Sequence, residues 1–141
     1  MTDEQAEALS AADRLAIQEL IARYNWAVDL SNGTDFADTF TPDGEFDSPT
    51  VRLRGRDELR RFGSGEGRAP RKPEERGQHW LTNIILDGHA DRASLKAYVC
   101  YQRREDGEIK TTTMGFYQDD LVKLDGCWHF ACRRFRPWPP E

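Results

Sequence analysis

The sequence predicts an α+β fold, a cone-shaped α+β barrel in which a long N-terminal helix and short helices pack within a strongly curved antiparallel sheet. Three observations predict it. Apolar residues recur at spacings of three and four from Ala11 to about Leu30, and they alternate with period two from His79 onward. The two patterns are also segregated along the chain rather than interleaved as βαβ units would be. A length of 141 residues fits one domain, whose core can bury roughly two-thirds of the surface that the unfolded chain exposes. With Trp 4, Tyr 4 and Phe 7, the chain is rich in large core-forming groups although 32% of its residues are charged, which argues against disorder.

The first ten residues read as a tail, and residues 11–138 as the single domain. Ser10 is the expected N-cap of the long helix, with Asp13 beside the free N–H groups of its first turn. Ile17, Leu20, Ile21, Tyr24 and Val28 form its buried stripe. Ser31-Asn32-Gly33 stops this helix, and Thr34 is expected to cap a short second one from Asp35 to Phe40. Thr41-Pro42-Asp43-Gly44 then reads as a turn before a short strand, Glu45 to Asp47. Arg54-Gly55-Arg56 leads into a further short helix, Asp57 to Phe62, closed by Gly63. Residues 63–77 contain four glycines, two prolines and no large apolar side chain, so a flexible surface loop is expected, either a lid or a disordered segment.

From His79 to Leu86 the pattern is that of a strand, followed by an Asp87-Gly88 turn and a strand from Ala93 to Gln102 with Leu95, Ala97, Val99 and Tyr101 on one face. A turn at Glu105-Asp106-Gly107-Glu108 precedes a strand from Ile109 to about Val122. Lys123-Leu124-Asp125-Gly126 is a hairpin of Asp-Gly type, and the last strand, Cys127 to Arg136, ends at Pro137-Trp138-Pro139-Pro140. A bent sheet around one helix leaves a cone-shaped cavity, the expected binding site. Trp26, Phe40, Phe46, Phe62 and Phe116 are candidates for its wall or for the core.

The net charge of −5 is unevenly spread. Residues 1–50 carry 11 acids and 2 bases, residues 51–77 carry 9 bases and 5 acids, and the remainder is balanced. A short basic stretch mixed with acids argues against a nucleic-acid partner. No apolar run reaches the roughly 18 residues that cross a bilayer, and the acidic start lacks the features of a secretory signal. A soluble, cytoplasmic protein without a membrane partner is expected. Cys100, Cys127 and Cys132 have no CxxC spacing, which fits a reducing compartment and buried, unpaired thiols. The sequence contains no GxGxxG, GxxxxGK[ST], HExxH or GxSxG motif and no EF-hand spacing. Neither a metal nor another cofactor is expected.

The segments RYNWAVDLSNGTDFADTFTPDGEFD, RGRDELRRF, QHWLTNIILDGHADRASLKAYV and DGCWHFACRRFRPW resemble the SnoaL-like family of the nuclear transport factor 2-like superfamily, over about Asp13 to Trp138. This fold hosts dehydratases, isomerases, polyketide cyclases, dehydrochlorinases, dioxygenase small subunits and binding modules. Within it, scytalone dehydratase, bile-acid 7α-dehydratase and hexachlorocyclohexane dehydrochlorinase have an Asp at the end of the first helix and a His on the first long strand. Asp29 and His79 stand at those places. Tyr24 has the spacing of a cavity tyrosine in the bile-acid enzyme, and the dehydrochlorinase type has a strand arginine for which Arg134 is the candidate.

The resemblance implies a cofactor-independent lyase or isomerase, dehydration foremost, acting on a small apolar ring compound such as a polyketide or steroid-like intermediate. His79 would be the general base, Asp29 its orienting partner, and Tyr24 a hydrogen-bond donor to a substrate carbonyl. Asn83, Arg134 and Trp26 complete the candidate binding residues. Each has an ordinary alternative: Asp29 a solvated helix end, His79 a structural strand residue, Tyr24 a core tyrosine, Asn83 a buried amide, Arg134 a solvent or interface group. The alternative functions are a non-catalytic ligand-binding or assembly module, a polyketide cyclase, and a dioxygenase small subunit. Assembly through the outer sheet face, as a dimer or trimer, is implied by the resemblance.

Overall fold

The computed structural model describes residues 8–141. Of the expected tail, residues 1–7 lie outside the described residues, while Ala8 forms an antiparallel bridge with His89 and Leu9 is buried in the core. Helix α1 spans Ala11–Asp29, and Ser10 caps it, its Oγ accepting the Asp13 N–H at 3.0 Å. The Asp13 carboxylate accepts Trp128 Nε1–H at 2.9 Å and Lys123 Nζ–H at 3.0 Å, tying the start of the helix to the far end of the sheet. Ile17, Leu20, Ile21, Tyr24 and Ala27 form the buried stripe.

Helix α2 spans Gly33–Asp38 and is capped by Asn32, which accepts the Asp35 N–H at 3.1 Å, rather than by Thr34. The helix begins early because Gly33 lies against α3 (Arg56–Gly63), where a Cβ would stand 2.1 Å from the Arg60 carbonyl oxygen. Strand β1 covers Phe40–Asp47 and so contains the expected Thr41–Gly44 turn. Phe40 pairs with Phe130 but Glu45 with Cys132, so those residues bulge out of the ladder instead of reversing the chain. A short strand absent from the sequence reading, β2 (Arg52–Arg54), pairs antiparallel with β1.

The segment before the meander contains a 3-10 turn at Pro73–Glu75. Four long strands follow, β3 (Gln78–His89), β4 (Arg92–Glu105), β5 (Glu108–Leu124) and β6 (Cys127–Pro137). Asp87-Gly88 lies within β3 and the reversal falls at Ala90-Asp91. At Gly88 the backbone passes so close to β4 that a Cβ would meet the Arg92 carbonyl oxygen at 2.3 Å. Asp125 and Gly126 both take positive φ, 50° and 81°, as the Asp-Gly hairpin requires.

The sheet order is β2-β1-β6-β5-β4-β3, antiparallel except for β1 beside β6, which run parallel. It curves around α1, and the core lies between them. The Tyr24 ring packs 5.0 Å from Phe36, 5.7 Å from Phe130 and 6.1 Å from Phe40, centroid to centroid. The three cysteines are free, but none is fully buried. Cys100 faces outward, opposite Trp80 and Met114, and Cys127 is exposed at the hairpin. Among the described residues no helix is long and apolar enough to cross a membrane.

Phe130 is wholly buried among aromatic neighbours, so Phe130→Ala is expected to cost about 3–5 kcal/mol in urea unfolding. Cys127→Ala, at an exposed position, should stay within about 0.5 kcal/mol of the parent.

Candidate functional site

Asp29 is the last residue of α1 and His79 the second of β3, and the fold brings them together. Asp29 Oδ1 lies 2.5 Å from His79 Nδ1, and Oδ2 accepts the His79 backbone N–H at 3.0 Å. One carboxylate therefore holds both the ring and the main chain of the same residue. These bonds offset the unfavourable position of an anion at the negative end of the helix dipole. The side chains are 13% and 24% exposed, so the contact is sheltered while the ring still reaches solvent. With Asp29 ionised, Nδ1–H donates to it and Nε2 is left with its lone pair available, the tautomer of a general base.

Tyr101 sits opposite His79 across the β3–β4 ladder, its ring centroid 4.7 Å from that of His79. Its hydroxyl accepts the Gly77 N–H at 3.1 Å and Arg71 Nη1–H at 3.0 Å, anchoring residues from the 63–77 segment beside the pair. Tyr101 is not among the candidates that the sequence offers: period two places it on one face of β4 with Leu95, Ala97 and Val99, but only the cross-strand register sets it against His79.

Tyr24 lies deeper, in the aromatic core, where burial pushes its hydroxyl well above the ordinary range. Over it, at 4.3 Å from ring to guanidinium carbon, is Arg133, which is 0% exposed and also lies 3.5 Å over the Tyr117 ring. Arg133 Nε approaches Asp119 Oδ2 at 3.3 Å. No hydrogen bond reaches the three guanidinium nitrogens or either Asp119 oxygen from the described residues. Burial pushes the Asp119 carboxyl up to about 7, with Arg133 drawing it back.

Arg133, not Arg134, is the inward arginine. Leu121 pairs with Phe130 and Asp120 with Cys132, leaving Ala131 as an extra residue that reverses the alternation of β6. Trp128 and Phe130 face the core before this bulge and Arg133 after it; Arg134 lies outside, bonded to Asp120 at 2.8 Å. Asn83 is displaced in the same way. Thr82 pairs with Tyr98 and Ile85 with Lys96, and Asn83 takes φ 56° at the offset. Inward positions pass from His79 and Leu81 to Ile84 and Leu86, and Asn83 is exposed. Trp26 is 70% exposed on the outer side of α1.

The structure thus gathers Asp29, His79 and Tyr101 at the rim of the sheet, with Tyr24, Tyr117, Asp119 and Arg133 packed in its centre. Where the sequence places the central cavity, these side chains are buried against one another. Open clefts lie elsewhere, one beside Asp47 and Arg54, another beside Pro42 and His129, and neither is lined by Asp29 or His79.

Comparison with known proteins fits this architecture. Residues 9–134 match the model of the SnoaL-like domain. The chain belongs to the SnoaL-like domain family. No curated protein matches the sequence. Among solved structures, the SnoaL-like chain is similar to a variant of Rv3472, a function-unknown protein of Mycobacterium tuberculosis, at 31% identity over 89% of this chain and 72% of that one, with a TM-score of 0.79. It is also similar to a Nostoc punctiforme protein of unknown function with a cystatin-like fold, at 26% identity over 94% and 96% of the two chains and a TM-score of 0.80. A Novosphingobium aromaticivorans protein provisionally designated a scytalone dehydratase matches at 26% identity over 91% and 85%, with a TM-score of 0.74.

The Asp119 side chain provides a pH test. Its folded value lies above the ordinary 3.8, so the native state binds a proton that the unfolded chain releases, and stability should fall as pH rises from about 4 to about 7. Asp119→Asn should flatten the unfolding free energy across that window, measured by urea denaturation at each pH. An Asp119 carboxyl resonance titrating near 4 would contradict the assignment.

Proposed function

We propose that this SnoaL-like protein is a cofactor-independent lyase or isomerase working by His–Asp general acid/base catalysis, with dehydration of a small apolar ring compound as the favoured reaction. The observation that carries the reading is the double hydrogen bond of Asp29 to the ring and backbone of His79, which presents Nε2 as a base. In the proposed step Nε2 removes a proton from the carbon beside a carbonyl. The C–O bond at the neighbouring carbon breaks, and the imidazolium returns the proton to the departing hydroxyl, so water leaves and the base is restored. Asp29 holds the tautomer and stabilises the imidazolium. Tyr24 and Arg133 face inward but lie enclosed in the aromatic core, and Asn83, Arg134 and Trp26 face outward, so the step is assigned to His79 and Asp29. The match to the Novosphingobium protein provisionally designated a scytalone dehydratase supports dehydration over isomerisation.

The partner expected at the outer face is a second copy of the chain. Trp80, Tyr98, Met114 and Trp138 are all exposed there, and Tyr98 and Trp138 pack edge to face at 5.2 Å. A patch of this kind marks an interaction surface. A second reading, an assembly module without catalysis, is favoured by the packed centre of the sheet.

The test of catalysis is turnover of hydroxylated and keto-substituted polycyclic compounds, followed by ultraviolet absorbance as conjugation changes. His79→Ala and Asp29→Asn should each lower kcat/KM by about 10²–10⁴-fold. Turnover by the parent that neither substitution alters would remove the mechanism, and neither binding nor turnover of any of these compounds would favour the module. In sedimentation velocity the parent should run as a dimer or trimer and Tyr98→Glu as a monomer. A monomeric parent at micromolar concentration would contradict self-association.

A further inference from the structure

We propose that Tyr101 is the oxyanion donor of this site, a catalytic residue that binds a developing enolate or phenolate oxygen beside His79. The proposal rests on the acid/base reading above and deepens it by naming the ligand class, a ring compound bearing an oxygen that gains negative charge.

A tyrosine hydroxyl has one proton to donate and two lone pairs to accept with. Both acceptor positions of Tyr101 are engaged, one by the Gly77 N–H at 3.1 Å and the other by the Arg71 guanidinium at 3.0 Å. What is left is the O–H itself. Hydrogen bonds in a chain polarise one another, and a cationic donor on the oxygen makes the remaining proton a stronger donor. That group belongs to a residue whose ring contacts the imidazole, with centroids 4.7 Å apart, so donor and base can meet one small molecule. The chain also keeps the hydroxyl in place sterically. A Cβ at Gly77 would stand 2.6 Å from Tyr101 Cζ and 2.8 Å from its oxygen, so only glycine lets that N–H reach the hydroxyl. Tyr24, in contrast, is enclosed by Phe36, Phe40, Phe130 and Arg133.

The arrangement favours an oxygen in its anionic form over its neutral form. In the transition state of proton abstraction beside a carbonyl, charge moves onto the carbonyl oxygen, and a preplaced O–H is worth more there than in the ground state. Arg71 and Gly77 act through Tyr101 as positioning residues.

The test uses 4-nitrophenol, whose phenolate absorbs where the phenol does not. Bound to the parent protein it should ionise at least about one pH unit below the free compound, a tenfold preference for the phenolate. Tyr101→Phe keeps the ring against His79 and removes only the hydroxyl, so it should abolish the shift while near-ultraviolet circular dichroism stays unchanged. Arg71→Ala keeps the hydroxyl and should leave a smaller shift, which preserves the test should Tyr101→Phe fold poorly. An equal shift in parent and Tyr101→Phe, or no shift with the parent, overturns the proposal. Its failure is separable from that of the acid/base reading, because the His79 and Asp29 substitutions are scored by turnover and this assay needs none.

Discussion

A sheet of six strands can wrap around one helix only if its ladder is broken at chosen places, and this constraint governs the rest of the molecule. Offsets occur between Phe40 and Glu45 on β1, between Thr82 and Ile85 on β3, and at Ala131 on β6. Each interrupts the ladder, and those on β3 and β6 exchange the inward and outward faces of the strand, whereas Phe40 and Phe46 both face the core on either side of the β1 bulge. The bend at Ala131 turns Arg133 onto the Tyr24 and Tyr117 rings, and the bend at Asn83 sends Ile84 and Leu86 inward after His79 and Leu81. Curvature and the composition of the interior are thus one decision, made at single residues.

The centre and the rim of the barrel differ in kind. At the centre, Arg133 and Asp119 are fully enclosed and satisfied poorly, a costly arrangement that aromatic faces on the guanidinium only partly offset. At the rim, Asp29, His79 and Tyr101 are partly open: Asp29 and His79 are joined by hydrogen bonds, and Tyr101, its ring against His79, is anchored by Gly77 and Arg71. The His79 ring is therefore reached from solvent without opening the core.

Much of this was legible in the chain. The apolar spacing of α1, the Ser10 cap and the alternation of β4 are local signals, each written within a few residues, and all appear in the structure. The Asp29 and His79 candidates came from a family resemblance, and the fold does bring them into contact. The parallel pairing of β1 with β6 joins residues some ninety apart, as with Phe40 and Phe130, and leaves no local mark. Bulges are equally silent. Reading β6 as unbroken period two selected Arg134 and missed Arg133, and the same step on β3 selected Asn83. Thr41-Pro42-Asp43-Gly44 has turn chemistry but sits in a bulge, where the same backbone preferences serve a different purpose.

The central claim is that Asp29 fixes His79 as a base with its proton on Nδ1 and its lone pair on Nε2. The most direct measurement is a long-range ¹H–¹⁵N correlation spectrum of the histidine side chains, taken with the imidazole neutral. The account predicts that His79 shows the Nδ1–H tautomer and that Asp29→Ala returns it to the Nε2–H form common in unconstrained histidine. A parent protein whose His79 carries its proton on Nε2 would contradict the account, since that nitrogen would then have no lone pair with which to take a proton.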